Sequence, residues 1–518
     1  MASSVMVMGT ASNVGKSILC TALCRILHED GYSVAPFKAQ NMSLNSAATP
    51  SGREIGRAQA VQAEACGILP NEHMNPVLLK PTGRHQTQVV VQGRVYKTTS
   101  ARDYLENRLD DVWEAVVDSY RFLADRYEWI VIEGAGSPVE MNLKPRDIAN
   151  VRTAELADAH VLLVADIDRG GVFASIVGTL QLLEPSERAR VKGIIINKFR
   201  GDRSLFTDGI RWIESYTGVP VLGVLPFLPD LNIEAEDSVA LEEARYRLPA
   251  ADGAVRVAVI QLPHMANFTD FDPLFLTPGV TVRFVQTPAE LEDVHAIILP
   301  GSKDTLMDGL WLQETGLSAA LAERRAAGCH IVGICGGFQL LGQRILDPDH
   351  WEGPIDEVAG LGWLPVVTTM TGSKRTMPVT GRVLGPLGPM PVEGYEIHMG
   401  RTERLAGGSP FAQVQSPDGD GAWFDGAVSD DGRVMGTYLH GIFHNDQFRR
   451  RWLTAICHQF GLQVPAAPDT SFSEMKSAAL RRLSSAVRAH LDMPRLYGIL
   501  GYAPKRGTPA ETGGPALS

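Results

Sequence analysis

Short apolar runs, each ending on glycine or a charged residue and most followed by a helix-period stretch, recur along this chain. Ser4-Val-Met-Val-Met8 reads as a first buried strand, and an apolar-periodic helix then extends to about His28. Ser33–Phe37, Trp129–Glu133, Val161–Ala165, Gly193–Asn197 and Val219–Leu225 continue the series. Strands apolar throughout are buried on both faces, and amphipathic helices between them favour parallel pairing. The character changes to acidic and loop-like over Glu234–Val239 and Leu248–Gly253, which puts a boundary near residue 252. A second series opens with Val255–Leu262 and continues through Ala296–Leu299, Cys329–Ile334 and Met435–Leu439. The predicted fold class is therefore α/β, with two doubly wound, mostly parallel-sheet domains. The expected division is 1–235, a linker over 236–253, a second domain over 254–447, a helical extension over 448–503 and a disordered tail over 504–518.

Chemistry-bearing residues fall at the ends of these runs. After the first strand comes Gly9-Thr-Ala-Ser-Asn-Val-Gly15-Lys16-Ser17, then the helix. Strand, glycine loop, Lys-Ser and helix make a phosphate cradle: backbone N–H groups and the helix dipole face the phosphates, Lys16 neutralises charge and Ser17 can ligate Mg2+. The first glycine sits one residue early for the standard motif, which points to the dethiobiotin-synthetase-like and partition-ATPase branch. Lys38, at the carboxyl end of the second strand, faces the ligand crevice and can meet phosphate or a substrate carboxylate. Glu133 ends another strand before glycines, where such folds place a magnesium-associated carboxylate. Asp166-Ile-Asp168-Arg169-Gly-Gly171 repeats the design, and Asn197-Lys198 is either a base-reading pair or a loop cap.

In the second half, Gly333-Ile-Cys335-Gly-Gly337-Phe-Gln339 joins a strand to a helix. Glycines permit a strained turn, and a helix N-terminus favours thiolate, so Cys335 is the candidate nucleophile. His440 ends an apolar strand and is the candidate base.

Composition narrows the field. At 518 residues the chain exceeds one core, and 44% hydrophobic with 21% charged residues describes an ordinary globular protein. A net charge of -11 argues against non-specific nucleic-acid binding. Six scattered cysteines suggest neither a disulfide framework nor a zinc site, and no run is long enough for a membrane span. A cytoplasmic location is expected.

Phe37-Lys-Ala-Gln-Asn-Met-Ser-Leu-Asn-Ser46, Arg57–Glu64, Met74–Pro81 and Asp166–Ser175 resemble the cobyric acid synthases, glutamine-dependent amidases of cobalamin biosynthesis. The likeness runs from the phosphate loop to about residue 455. It implies a P-loop amidoligase domain followed by a class I glutamine amidotransferase, using ATP, Mg2+ and L-glutamine. It also implies the acceptor, adenosylcobyrinic acid a,c-diamide, with side-chain carboxylates b, d, e and g amidated in turn. By the same resemblance Gly301 and the Gly336 N–H form an oxyanion hole, Gln339 holds glutamine, and Thr437-Tyr-Leu-His440-Gly marks His440 as catalytic. Many triad amidotransferases carry glutamate two residues after this histidine; here Ile442 stands there, and the third member is unassigned, neither Glu396 nor Asp446 being selected by the sequence. The role of Asn267-Phe-Thr-Asp-Phe-Asp272 is not derivable from its residues. A related a,c-diamide synthase and a partition-type ATPase switch are the competing readings.

Overall fold

The computed structural model describes residues 2–82, 86–107, 109–229, 231–234, 236, 255–417, 419, 421–466 and 470–505. Most of the expected linker and the tail beyond Lys505 lie outside these residues. The first half is organised on a sheet of six parallel strands in the order Val221–Pro226, Val191–Phe199, His160–Asp166, Ser3–Gly9, Trp129–Glu133, Val34–Phe37. Ser3–Gly9 is central, and its residues from Val5 to Met8 are buried on both faces. Parallel alignment brings every carboxyl end to one edge, so the phosphate loop, Lys38 and Glu133 meet there. Nine residues of the helix Lys16–Glu29 are buried, and Leu19, Leu23 and Ile26 among them share a core with Val5 and Val7 of the sheet.

The second half repeats the plan. Val280–Val285, Val255–Ile260, Ala296–Leu299, His330–Ile334 and Val434–Thr437 run parallel, and only Ala427–Val428 at the edge is antiparallel. Its core gathers Ile297, Ile331, Phe338 and Phe443.

Each half also carries an antiparallel sheet that the apolar runs did not signal. In the first, Gln40–Met42 lies beside the meander Val77–Thr82, Gln86–Val91, Arg94–Ser100. In the second, Val366–Val383 and Met390–Arg404 form a long hairpin. The strands of the hairpin are partly solvated and lack the continuous apolar runs of parallel interior strands, and the apolar runs of the meander, Val77–Leu79 and Val89–Val91, are only three residues long. The helix Asp446–Phe460 packs Phe448, Trp452 and Ile456 into the second core. Beyond it the chain returns to the first: Leu483, Val487 and Leu496 of Phe472–His490 and Met493–Leu500 pack with Leu19 and Leu23. Arg488 fixes that return on Asp30 at 2.7 Å.

Candidate active sites

Cys335 stands between the strand His330–Ile334 and the helix Gly336–Leu341, with φ 53° and ψ −109°. Such a backbone costs on the order of 1–3 kcal/mol for a non-glycine residue and persists only where its surroundings over-determine it. Here they do. Cys335 N–H donates to the Thr437 carbonyl at 2.9 Å. A Cβ on Gly337 would stand 1.9 Å from the Leu299 carbonyl oxygen, so only glycine lets the elbow close against its neighbouring strand. A Cβ on Gly301 would lie 3.3 Å from His440 Cε1 and 3.8 Å from Cys335 Cβ, which puts that backbone directly on the reacting groups. Gly336 abuts the Ser302 amide in the same way, at 2.8 Å.

His440 is buried and lines the same cavity as Cys335, whose thiol donates to the Ile397 carbonyl at 3.5 Å. Its Nδ1 lies 2.7 Å from Asp270 Oδ2, and the Gly441 N–H donates to Asp270 Oδ1 at 3.0 Å. Burial would lower the basicity of the ring, but the Asp270 charge and hydrogen bond overcome it, and the histidine is pushed up to about 10. Asp270 is thus the carboxylate paired with His440, a partner that the sequence left unassigned. Glu396 instead takes Arg375 at 2.6 Å, and Asp446 pairs with Arg449. His398, in the hairpin, stacks on Tyr438 at 3.7 Å between centroids. Gln339 Nε2 donates to Tyr438 Oη at 3.0 Å, fixing the amide in the cavity that Cys335 also lines.

The other predicted residues assemble at the edge of the first sheet. Gly15, at φ 99°, turns the loop into its helix, and a Cβ there would strike Asn197 Nδ2 at 2.2 Å. Asn197 donates to the Val14 carbonyl and Lys198 to that of Asn13, so this pair braces the phosphate loop. Lys16 donates to the carbonyls of Ala11 and Gly136, each at 3.0 Å, and desolvation lowers its pKa. Ser17 Oγ donates to Glu133 Oε1 at 2.7 Å. Lys38 Nζ reaches the same oxygen at 2.8 Å, and Gln62 Nε2 donates to Glu133 Oε2 at 2.6 Å. Burial works against the Lys38 ammonium, but Glu133 and Glu236 outweigh it and raise its pKa. Glu236, from the stretch expected to be linker, was missed: it accepts from Ser17 at 2.7 Å and pairs with Lys38.

Magnesium prefers a few oxygen ligands completed by phosphate and water. Ser17 Oγ at the start of its helix and Glu133 Oε1 at the end of its strand, 2.7 Å apart, fit that preference. Among the described residues no cluster of three or more His, Cys, Asp or Glu side chains forms a metal site.

The two constellations touch through reciprocal bonds. Ser46 N–H of the first half donates to Asn267 Oδ1 at 2.8 Å, and Phe268 N–H of the second donates to Asn45 Oδ1 at 3.3 Å. Asn267 Nδ2 lies 3.4 Å from His440 Nε2, while Ser43 Oγ donates to the Glu236 carbonyl at 2.7 Å. The segment 43–46 therefore spans from one site to the other.

Two family models match these two halves: a CobQ/CobB/MinD/ParA nucleotide binding domain over residues 5–239 and a CobB/CobQ-like glutamine amidotransferase domain over residues 256–448. A nucleotide-binding domain joined to an amidotransferase defines a glutamine-dependent ligase. The chain is 50% identical to cobyric acid synthase of Pelotomaculum thermopropionicum, over 99% of this chain and all of that one. It is 49% identical to cobyric acid synthase of Moorella thermoacetica, over 97% and 98%. The chain belongs to the cobyric acid synthase family. A solved glutamine amidotransferase aligns over 40% of this chain and 99% of that one, at 19% identity and a TM-score of 0.27. No helix among the described residues is long and apolar enough to cross a membrane.

Proposed function

We propose that the chain makes cobyric acid from adenosylcobyrinic acid a,c-diamide, amidating carboxylates b, d, e and g with ATP and glutamine. The observation that carries this reading is the docking of a Cys335–His440–Asp270 constellation against a phosphate-loop site through segment 43–46.

A carboxylate resists ammonia because it is anionic and its leaving group is poor; phosphorylation by ATP removes both obstacles. At the second-half site, Cys335 Sγ attacks the side-chain amide carbon of glutamine, with its own proton held on His440. The Gly301 and Gly336 backbone supplies donors for the oxyanion. As the C–N bond breaks, His440 passes its proton to the leaving nitrogen, so ammonia departs neutral and a thioester remains. A water molecule, giving a proton to His440, then releases glutamate. Asp270 holds the ring's Nδ1–H and stabilises the imidazolium throughout.

Neutral ammonia passes to the first-half site, where a corrinoid carboxylate has taken the γ-phosphoryl group of ATP. Lys16 and Lys38 offset the charge of the transferring group, and Ser17 and Glu133 would hold Mg2+. The ion supplies charge neutralisation on the phosphate oxygens. Ammonia attacks the acyl phosphate, the C–O bond to phosphate breaks, and amide and phosphate leave. The stretch Gln40–Asn45, at the carboxyl end of the second strand, would contact the corrinoid. Asn41, Ser43 and Asn45 are buried, so that contact falls to Gln40, Leu44 and the 60%-exposed Met42.

Mass spectrometry of reactions holding ATP, magnesium, glutamine and the a,c-diamide tests this directly. Successive products should each differ by the exchange of a hydroxyl for an amino group, ending at cobyric acid. Glutamine turnover without a corrinoid shift would overturn the acceptor assignment.

A further inference from the structure

The cavity that opens on Cys335, Gln339 and His440 is lined from both halves of the chain, by Lys80 of the first and by Lys303, Glu352 and Lys374 of the second. Two of the three ammonium groups are engaged. Glu54, almost wholly buried, takes Lys80 on Oε1 at 2.6 Å and Lys374 on Oε2 at 2.5 Å, bridging the halves. These two cations hold the Glu54 carboxyl well below its usual range despite burial. Lys303 differs: among the described residues its side chain has neither a hydrogen bond nor an ion pair, and burial lowers its pKa. Glu352 is its counterpart. One oxygen, Oε2, accepts from the Thr305 N–H at 2.8 Å, and burial pushes the carboxyl up to about 7. The nucleophile's cavity thus contains one uncommitted ammonium and one half-committed carboxylate. Burial disfavours both charges; each partly offsets the other without a direct bond between them, and opposite charges on a ligand would relieve both further.

We propose that Lys303 and Glu352 receive the α-carboxylate and α-ammonium of glutamine, in a pocket that the Lys80–Glu54–Lys374 bridge closes from the opposite half. This deepens, and rests on, the glutaminase reading above. Free glutamine is a zwitterion, whereas a glutaminyl residue within a peptide has neither charge. The pair therefore selects the free amino acid, and its reach fixes the amide carbon at Cys335. Because Lys80 belongs to the first half, the pocket is complete only when the halves are docked.

The test compares glutamine with two truncated amides. 4-Aminobutanamide lacks the α-carboxylate, and glutaramate monoamide lacks the α-amine. The unaltered enzyme should prefer glutamine to each by about tenfold to a hundredfold in kcat/KM, the range of a charge-assisted hydrogen bond. Lys303→Met should lose the preference over 4-aminobutanamide, chiefly through a higher KM for glutamine, and Lys303→Arg should restore part of it. Glu352→Gln should lose the preference over glutaramate monoamide. Equal use of glutamine and 4-aminobutanamide by the unaltered enzyme would overturn the receptor without any variant. Amidation supported by ammonia reports the proposed function separately. If it continues in Lys303→Met while discrimination is unchanged, the receptor is overturned and the ligase reading stands.

Discussion

The two sites are built on opposite plans. Around Cys335 the geometry is held by backbone: a strained residue at φ 53°, a glycine pressed to the next strand, and an amide bonded to the Thr437 carbonyl. Around Lys16 and Lys38 it is held by charges that satisfy one another: Lys38 on Glu133 and Glu236, Ser17 on the same two carboxylates. A nucleophile must be in place before substrate arrives, because misplacement by an ångström costs rate directly. A phosphate site must instead exchange partners, since its cations need company both with and without ligand. The difference teaches where substitutions are absorbed. Removing the Cys335 thiol leaves the scaffold standing and the chemistry gone, whereas removing Glu133 or Glu236 leaves the buried Lys38 ammonium short of a partner.

The largest effect should come from Cys335→Ala. Glutamine-dependent amidation should fall by roughly four orders of magnitude or more, while high ammonia at alkaline pH still supports product. Glutamine-dependent product at the original rate would break the assignment. Next in size is Lys16→Ala, which should lower amidation by about a thousandfold with either nitrogen source, as for other lost phosphate clamps. Normal ammonia-supported synthesis in that variant would refute its role. Together the two substitutions separate the halves by their response to ammonia.

How legible each site was follows from how local it is. Cys335 and Lys16 sit within strand–turn–helix segments whose glycines, apolar runs and polar residues are contiguous, so pattern sufficed. Asp270 is 170 residues from His440 in sequence, and only the sheet order brings them together. Its one signal was a carboxylate within a polar-aromatic loop after the first strand of the second sheet. Glu236 was hidden for a related reason: an acidic stretch between domains reads as solvated linker unless a buried cation is known to await it. The pairing of the long antiparallel hairpin was not legible, because its strands alternate only in part. The apolar stripe of Phe472–His490 predicted a helix but could not say which sheet it covers.

Asp270→Asn comes third. It should lower glutamine turnover by about a hundredfold to ten-thousandfold while ammonia-supported amidation persists. It should also change how stability depends on pH. The folded-state pKa of His440, about 10, lies above its ordinary 6.5, so the stabilisation is full below 6.5 and fades as pH rises toward 10. The denaturant midpoint of the original chain should therefore carry a loss across that window that Asp270→Asn largely lacks. Identical pH profiles would show that the carboxylate does not set the charge of the ring.

The smallest effect sharpens the comparison most, because it touches the segment between the two plans. Asn45 contacts neither Cys335 nor the phosphate loop; its Oδ1 accepts from Phe268 N–H, and its Nδ2 donates to the Glu236 carbonyl. Truncation to alanine removes both bonds and leaves Ser46 to hold Asn267 alone. A net loss of about 1–3 kcal/mol for stranding buried polar partners is enough to loosen the seam without unfolding either core. Each half-reaction, measured separately, should then change by no more than about twofold to fivefold, under about 1 kcal/mol, because the loss falls on the seam and not on either set of reacting groups. What should change is their ratio: glutamate released per amide formed should rise above parity as ammonia escapes between the sites. Parity in Asn45→Ala would mean that the seam is held by the Glu54 bridge instead, and Glu54→Gln would then be the variant that uncouples them.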